Sequence, residues 1–362
     1  MGCLDQQDGS SSKHARIRAA FRRQAIACRN LGSSFTARLL EHLANGMRDD
    51  NAVGGTILNW PSDPLADALA LRTAGALHAL VLTGQSTDLI DVYPPGTSGD
   101  DELQLAIESA LDVHGGDILR FIENPPQTNE VGRAAALAGG FLTIAALTSL
   151  PLTILEVGAS AGLNLHWDHF GYDLGGLAIG KAPSLPLLAP AWEGPKPPAA
   201  DIRIIERSGC DRAPIDVRSN DDVLRLRAYI WPDQAERLAR LDQALAIVRS
   251  SSVRIEDADA ADWALSHLAE RRHGIATVFF HSIVWQYIGK DSQQRLMHTI
   301  EAAGRRADIK APFAWLRMEP ETQRAAALRL TLWPEGKTLL LADVDYHGSW
   351  ISWHIEPNTL RL

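Results

Sequence analysis

Thr153 to Leu165 reads T-I-L-E-V-G-A-S-A-G-L-N-L, and its residue types suit two kinds of chemistry. A short apolar run ends in an acid, Glu156. Gly158, Ser160 and Gly162 then fall at alternate positions before an apolar, helix-compatible segment. The spacing predicts strand, tight turn and helix. Gly158 permits a turn where a Cβ would clash, and Gly162 lets the next segment lie close to the strand or to a ligand. Turns of this kind place a cofactor at a helix N-terminus. The same residues also spell Gly-x-Ser-x-Gly, which can present Ser160 as a nucleophile.

Other polar residues fall where they could serve such a turn. Asn129, Glu130 and Arg133 share a helix-turn face by spacing and could meet charged groups of a substrate. The same stretch also reads as a helix start capped by Thr128. His281 closes the apolar run Ala276 to Phe280, and its imidazole could take a proton from a substrate hydroxyl or acid. No His, Cys or Asp cluster has metal-ligand spacing.

The elements that must position these residues change character along the chain. Residues 1–12 read as a disordered leader and residues 13–150 as helical. Phe35, Leu39, Leu40 and Leu43 follow a Ser34 cap, and Leu103, Ile107 and Leu111 follow Asp100 and Asp101. From residue 151 to 362 strands and helices alternate, the pattern of an α/β sheet. Strands are expected at Ile202 to Glu206, Val253 to Ile255, Ala276 to Phe280 and Phe313 to Met318. A hairpin, Leu328 to Leu332 with Thr338 to Val344, ends the sheet. A Pro-rich insertion over 171–200 reads as a cover loop.

Composition narrows the function. The 362 residues, 46% of them hydrophobic, can bury a large core, and a net charge of −9 argues against a general nucleic-acid binder. Three scattered cysteines suggest neither disulfides nor a zinc site, and a reducing cytoplasm fits. Ala134 to Leu155 carries no charge and is long enough to span a bilayer, but its glycines, polar residues and Pro151 favour a buried helix followed by a buried strand. No membrane association is expected.

Glu156, Gly158, Ser160 and Gly162 resemble motif I of the class I S-adenosylmethionine (SAM) dependent methyltransferases, with Ser160 in place of the middle glycine. That resemblance implies a Rossmann-like, seven-stranded sheet ending in an antiparallel hairpin, with the helical N-terminal part as a cap over the cleft. SAM would be the cofactor and a small molecule the substrate. Gly158, Ser160 and Gly162 would approach its methionine part, and Glu156 would hold its ammonium or a water. Asp211 would bind the ribose, with Asp173 and Asp216 as rivals, and Asp259 with Ala260 would contact adenine. His281 would be the catalytic base, facing a substrate bound by Asn129, Glu130, Arg133 and Trp285.

The narrower runs Gln127 to Arg133, Glu156 to Leu165, Trp231 to Gln234 and His281 to Trp285 are similar to an uncharacterised bacterial family, known only as a domain of unknown function. Two alternatives stay open. One is a serine hydrolase resembling the α/β-hydrolases, with Ser160 as nucleophile, and the other is a SAM-binding protein without catalysis.

Overall fold

The computed structural model describes residues 4–180 and 185–357, with side chains from residue 12 onward. Two compact units divide the chain: Met1–Thr128 with Ser219–Leu238, and Asn129–Arg218 with Ala239–Leu362.

The first unit is helical: α1 (Leu4–Asn30), α2 (Ser34–Gly46), α3 (Ala52–Leu58), α4 (Leu69–Leu82), α5 (Thr87–Val92), α6 (Asp100–Val113) and α7 (Gly115–Ile122). The expected leader is helical from Leu4, since no proline interrupts the stretch, and residues 1–3 lie outside the described residues. The cap of α2 is Ser33, one residue before the expected Ser34; its Oγ accepts the Thr36 N–H at 3.2 Å. Phe35, Leu39, Leu40 and Leu43 form the buried face of α2, as their spacing predicts.

The second unit begins with α8 (Ala134–Thr148), which the sequence reading had grouped with the helical cap. Conversely α9 (Asn220–Ala228) belongs to the first unit, and the boundary falls within α10 (Ala235–Arg249). The strands are β1 (Leu152–Val157), β2 (Gly171–Asp173), β3 (Ala178–Ile179), β4 (Leu187–Leu188), β5 (Ala191–Glu193), β6 (Ile204–Asp211) and β7 (Ile255–Asp257). They continue with β8 (Ala276–Ser282), β9 (Phe313–Pro320), β10 (Ala326–Trp333), β11 (Lys337–Val344) and β12 (Trp350–Trp353). Two further helices, α11 (Ala260–His267) and α12 (Lys290–Arg306), complete the unit.

Nine strands form one sheet in the order β5-β12-β11-β10-β9-β8-β1-β6-β7. Pairing is parallel from β9 through β8, β1 and β6 to β7, and antiparallel across β9, β10, β11 and β12. The expected count of seven therefore falls short. The terminal hairpin is followed by β12, and β5 pairs parallel with β12 at the edge. Both that edge strand and the small sheet β3-β2-β4 come from the 171–200 insertion, so the insertion is sheet-forming where a cover loop was expected. Its residues 181–184 lie outside the described residues.

Every residue of β1 is buried, as a central parallel strand covered on both faces requires. Phe279 joins the cluster of α11 and α12, whereas Phe280 meets Phe141 of α8 edge-on, so these helices cover opposite faces. Among the described residues one stretch, Val131–Thr148, is long and apolar enough to cross a bilayer, and 78% of it is buried inside the fold. It is the helix against β9, β10 and β11.

Two glycines let α8 approach that closely. A Cβ on Gly139 would lie 2.7 Å from Trp353 Cζ3, and one on Gly140 2.6 Å from Leu316 Cδ1. Trp353 is held by a stack on Trp192 and by a hydrogen bond from its indole N–H to the Ile355 carbonyl. Gly139→Ala should therefore destabilise the protein, although alanine gains about 1 kcal/mol of helix propensity, because overpacking of a fixed core costs about 1–3 kcal/mol. The urea midpoint should fall; a rise would show that Trp353 can retreat.

Candidate functional site

From β1 the chain runs to β6 and β7 on one side and then crosses back to β8 and β9 on the other. Such a reversal opens a crevice outside the carboxyl ends of the strands, where open α/β sheets bind ligands. Val157, Gly158, Cys210, Asp211, Ala258, Asp259, Ala260, Val284 and Ile288 line a cavity there of about 120 Å³.

The turn after β1 is left-handed at three alternate positions, with φ of +70° at Gly158, +53° at Ser160 and +74° at Gly162. Most of its amides are paired, Gly162 within the turn to the Ala159 carbonyl. Gly158 and Ala159 donate to the Cys210 carbonyl, Ser160 to Asp211 Oδ2 at 2.9 Å, and Leu163 to Asn129 Oδ1 at 3.0 Å. The segment that follows is a 3₁₀ turn, Asn164–His169, kinked at His166, in place of the expected helix. Neither glycine faces open space. A Cβ at Gly158 would meet Val284 Cγ2 at 2.3 Å and one at Gly162 Ile255 Cδ1 at 2.9 Å, so both serve packing as well as backbone conformation.

The acids occupy the expected ends of the expected strands, with their oxygens already engaged. Asp211, at the end of β6, accepts the Ser160 and Ala213 N–H groups. Its rivals lie elsewhere: Asp173 ends β2 in the small sheet, and Asp216 lines a separate cavity with Ala161 and Arg218. Asp259 caps α11 through the Ala261 N–H and accepts the Ser292 hydroxyl at 2.6 Å. Partial burial alone would raise its carboxyl, but the Ser292 and backbone hydrogen bonds, with Arg295 nearby, hold it below the ordinary range.

Glu156 is 1% exposed, and its Oε2 has no hydrogen-bond partner. Burial pushes this carboxyl well above the usual range, the Asp211 charge adds to the rise, and Arg133 opposes it. Ser160 Oγ is likewise buried and has no hydrogen-bond partner, so the contact to a base that the hydrolase expectation calls for is not made here.

His281 does not face the crevice as a free base. It is 1% exposed; Nδ1 lies 2.6 Å from Glu319 Oε1, and Nε2 accepts the Trp315 indole N–H at 3.0 Å. Both ring nitrogens are committed in this arrangement, so neither is free to act as the base that the catalytic expectation requires. Trp285 stacks on His281 at 5.5 Å and is half-buried.

Asn129, Glu130 and Arg133 come to the carboxyl edge of the sheet, as their place before α8 implied, but they act as braces. Asn129 holds the glycine turn. Glu130, and not Thr128, caps the short 3₁₀ turn Val131–Arg133 by accepting the Gly132 N–H. Arg133 donates to the carbonyls of Tyr346 and Ser282. The sequence reading missed Val284 and Glu319. Glu319 carried one usable signal, an acid closing the otherwise buried β9 run Phe313 to Met318.

Sheet order and crevice together define an α/β protein with a cavity at its topological switch point. Residues 18–353 match the family described as uncharacterised proteins conserved in bacteria (DUF2332), and the chain belongs to that family. Comparison with curated proteins gives no match.

Two substitutions test this description. Below the ordinary glutamate value of 4.5, Glu156 is protonated in both folded and unfolded chains. Above it the unfolded chain ionises first while the folded one keeps its proton, so the folded state binds more protons and stability falls as pH rises. Glu156→Gln should therefore stabilise the protein relative to wild type by an amount that grows from pH 4.5 toward alkaline pH; a flat difference would mean that Arg133 compensates the charge fully. His281→Leu strands the Trp315 N–H and removes one of the partners of Glu319 Oε1, and should cost about 1–3 kcal/mol in denaturant unfolding. Unchanged stability would restore the free-base assignment.

Proposed function

We propose that this protein binds SAM in the switch-point crevice and transfers its methyl group to a small molecule. The observation that carries the reading is the single cavity shared by the turn after the first strand, the acid ending the second and the Asp-Ala pair after the third. Val157, Ala258, Ala260 and Ile288 offer apolar walls suited to a flat ring, with Asp211 and Asp259 at its margin.

The local electrostatics favour a cofactor without phosphates. In dinucleotide sites the glycine turn offers its N–H groups to a pyrophosphate. Here the Ser160 and Leu163 N–H groups are taken by Asp211 and Asn129, and Glu156 lies behind them. Although Arg212 also lines the cavity, a phosphate at the turn would find these two N–H groups already taken. A cationic sulfonium cofactor does not call on them.

At about 120 Å³ the cavity is below the volume of a whole cofactor site, so the lining fits the nucleoside half, and the space beside Gly158 is filled by Val284. When bound, SAM would supply the electrophilic methyl, while Asp211 would orient the ribose and Asp259 with Ala260 the ring. The commitment of both His281 nitrogens favours a second reading, in which SAM is bound without transfer.

Calorimetric titration with SAM, S-adenosylhomocysteine, adenosine and NADH tests the proposal. The three adenosyl ligands should bind and NADH should not; folded protein that binds none of the three at millimolar concentration refutes it. Loss of a charged hydrogen bond of about 1.5–3 kcal/mol predicts that Asp211→Asn weakens binding by about ten- to a hundredfold. Transfer of labelled methyl from SAM to a cell extract separates the catalytic reading from binding alone.

A further inference from the structure

The segment from Ser282 to Gly289 joins β8 to α12 and forms one wall of the crevice cavity. Its conformation is imposed from outside. Ile283 has a φ of +53°, in the left-handed region that β-branched residues avoid. Glu319 of β9 holds it there. One oxygen, Oε1, accepts the Val284 N–H at 3.1 Å and the Trp285 N–H at 3.3 Å while lying 2.6 Å from His281 Nδ1.

The segment is fixed at the Glu319 end, and farther on Gln293 Nε2 donates to the Trp285 and Ile288 carbonyls. Trp285 stacks on His281, whereas Tyr287 is 72% exposed and a Cβ on Gly289 would meet nothing within 4 Å. At the fixed end the Val284 side chain occupies the space that the missing Cβ of Gly158 leaves, directly over the glycine turn.

We propose that Val284 determines what the crevice admits, and that the Glu319 latch holds Val284 over Gly158 until a ligand larger than a nucleoside displaces it. This rests on the SAM reading above. Opening gives up the hydrogen bonds to the Glu319 carboxylate and relieves one left-handed residue, so the closed arrangement dominates in the free protein. A ligand that fits the closed cavity binds directly. One that needs the space beside Gly158 binds with an affinity reduced by the open fraction.

The test has a ligand arm and a ligand-free arm. Val284→Ala shortens the side chain and leaves the latch intact. It should raise S-adenosylhomocysteine affinity by roughly tenfold while adenosine affinity stays within roughly twofold. Equal affinity of wild type and variant for S-adenosylhomocysteine overturns the gate and leaves the proposed function standing; binding of adenosyl ligands by neither overturns both. Without ligand, Glu319→Ala should speed hydrogen exchange at the Val284 and Trp285 amides by at least roughly tenfold, with β1 amides still protected. Unchanged exchange at those two amides removes the latch.

Discussion

The turn from Gly158 to Leu163 has backbone N–H groups held by two separate pieces of chain, the end of β6 and Asn129, and the carboxyl edge of the sheet depends on that arrangement. Gly158 and Ala159 donate to the end of β6, Ser160 to the Asp211 carboxylate, and Leu163 to the Asn129 amide oxygen. In return the Ser160 carbonyl accepts the Ile215 N–H. Three left-handed residues in five are sustained because neighbouring strands and loops supply the acceptors, since a buried N–H left unpaired costs more than the turn's own strain. Asn129 and Asp211, both legible as ligand-binding residues, are therefore first of all the braces that keep the turn in shape.

This double use explains how far the sequence could be read. Strand succession after residue 151 was legible because long apolar runs mark buried parallel strands, and β6, β8, β9 and the β10–β11 hairpin fall on or beside their expected positions. The carboxyl-end placement of Asp211, Asp259 and Ala260 followed from the same succession. What those side chains bond to did not follow. Ser292 lies 33 residues beyond Asp259, and Glu319 and Trp315 lie 38 and 34 residues beyond His281. A histidine at a strand end looks the same in sequence whether its nitrogens meet a substrate or a neighbouring strand.

The edges of the fold were illegible for other reasons. Strands β2 to β5 are two or three residues long and carry no alternation, so a Pro-rich segment that supplies an edge strand reads as loop. Helix α8 is apolar all round, with no polar face to show which layer it joins, and tertiary contacts such as Trp353 and Leu316 against Gly139 and Gly140, and Phe141 against Phe280, assign it to the sheet. The unit boundary within α10 leaves no composition shift, because a continuous amphipathic helix crosses it.

Glu156 sits buried in the central strand that feeds the glycine turn. A carboxyl that is 1% exposed, with one oxygen unpartnered and Asp211 close enough to raise it further, disfavours its own ionisation, and Arg133 only partly offsets this. A purely structural role would be filled more cheaply by an apolar residue, since replacing buried charge with a well-packed side chain is often neutral or stabilising. Retaining an acid there makes sense if something brings positive charge or hydrogen-bond donors to Oε2. Val157 and Gly158, the two residues after Glu156, line the crevice cavity, whereas Glu156 itself is buried in the strand.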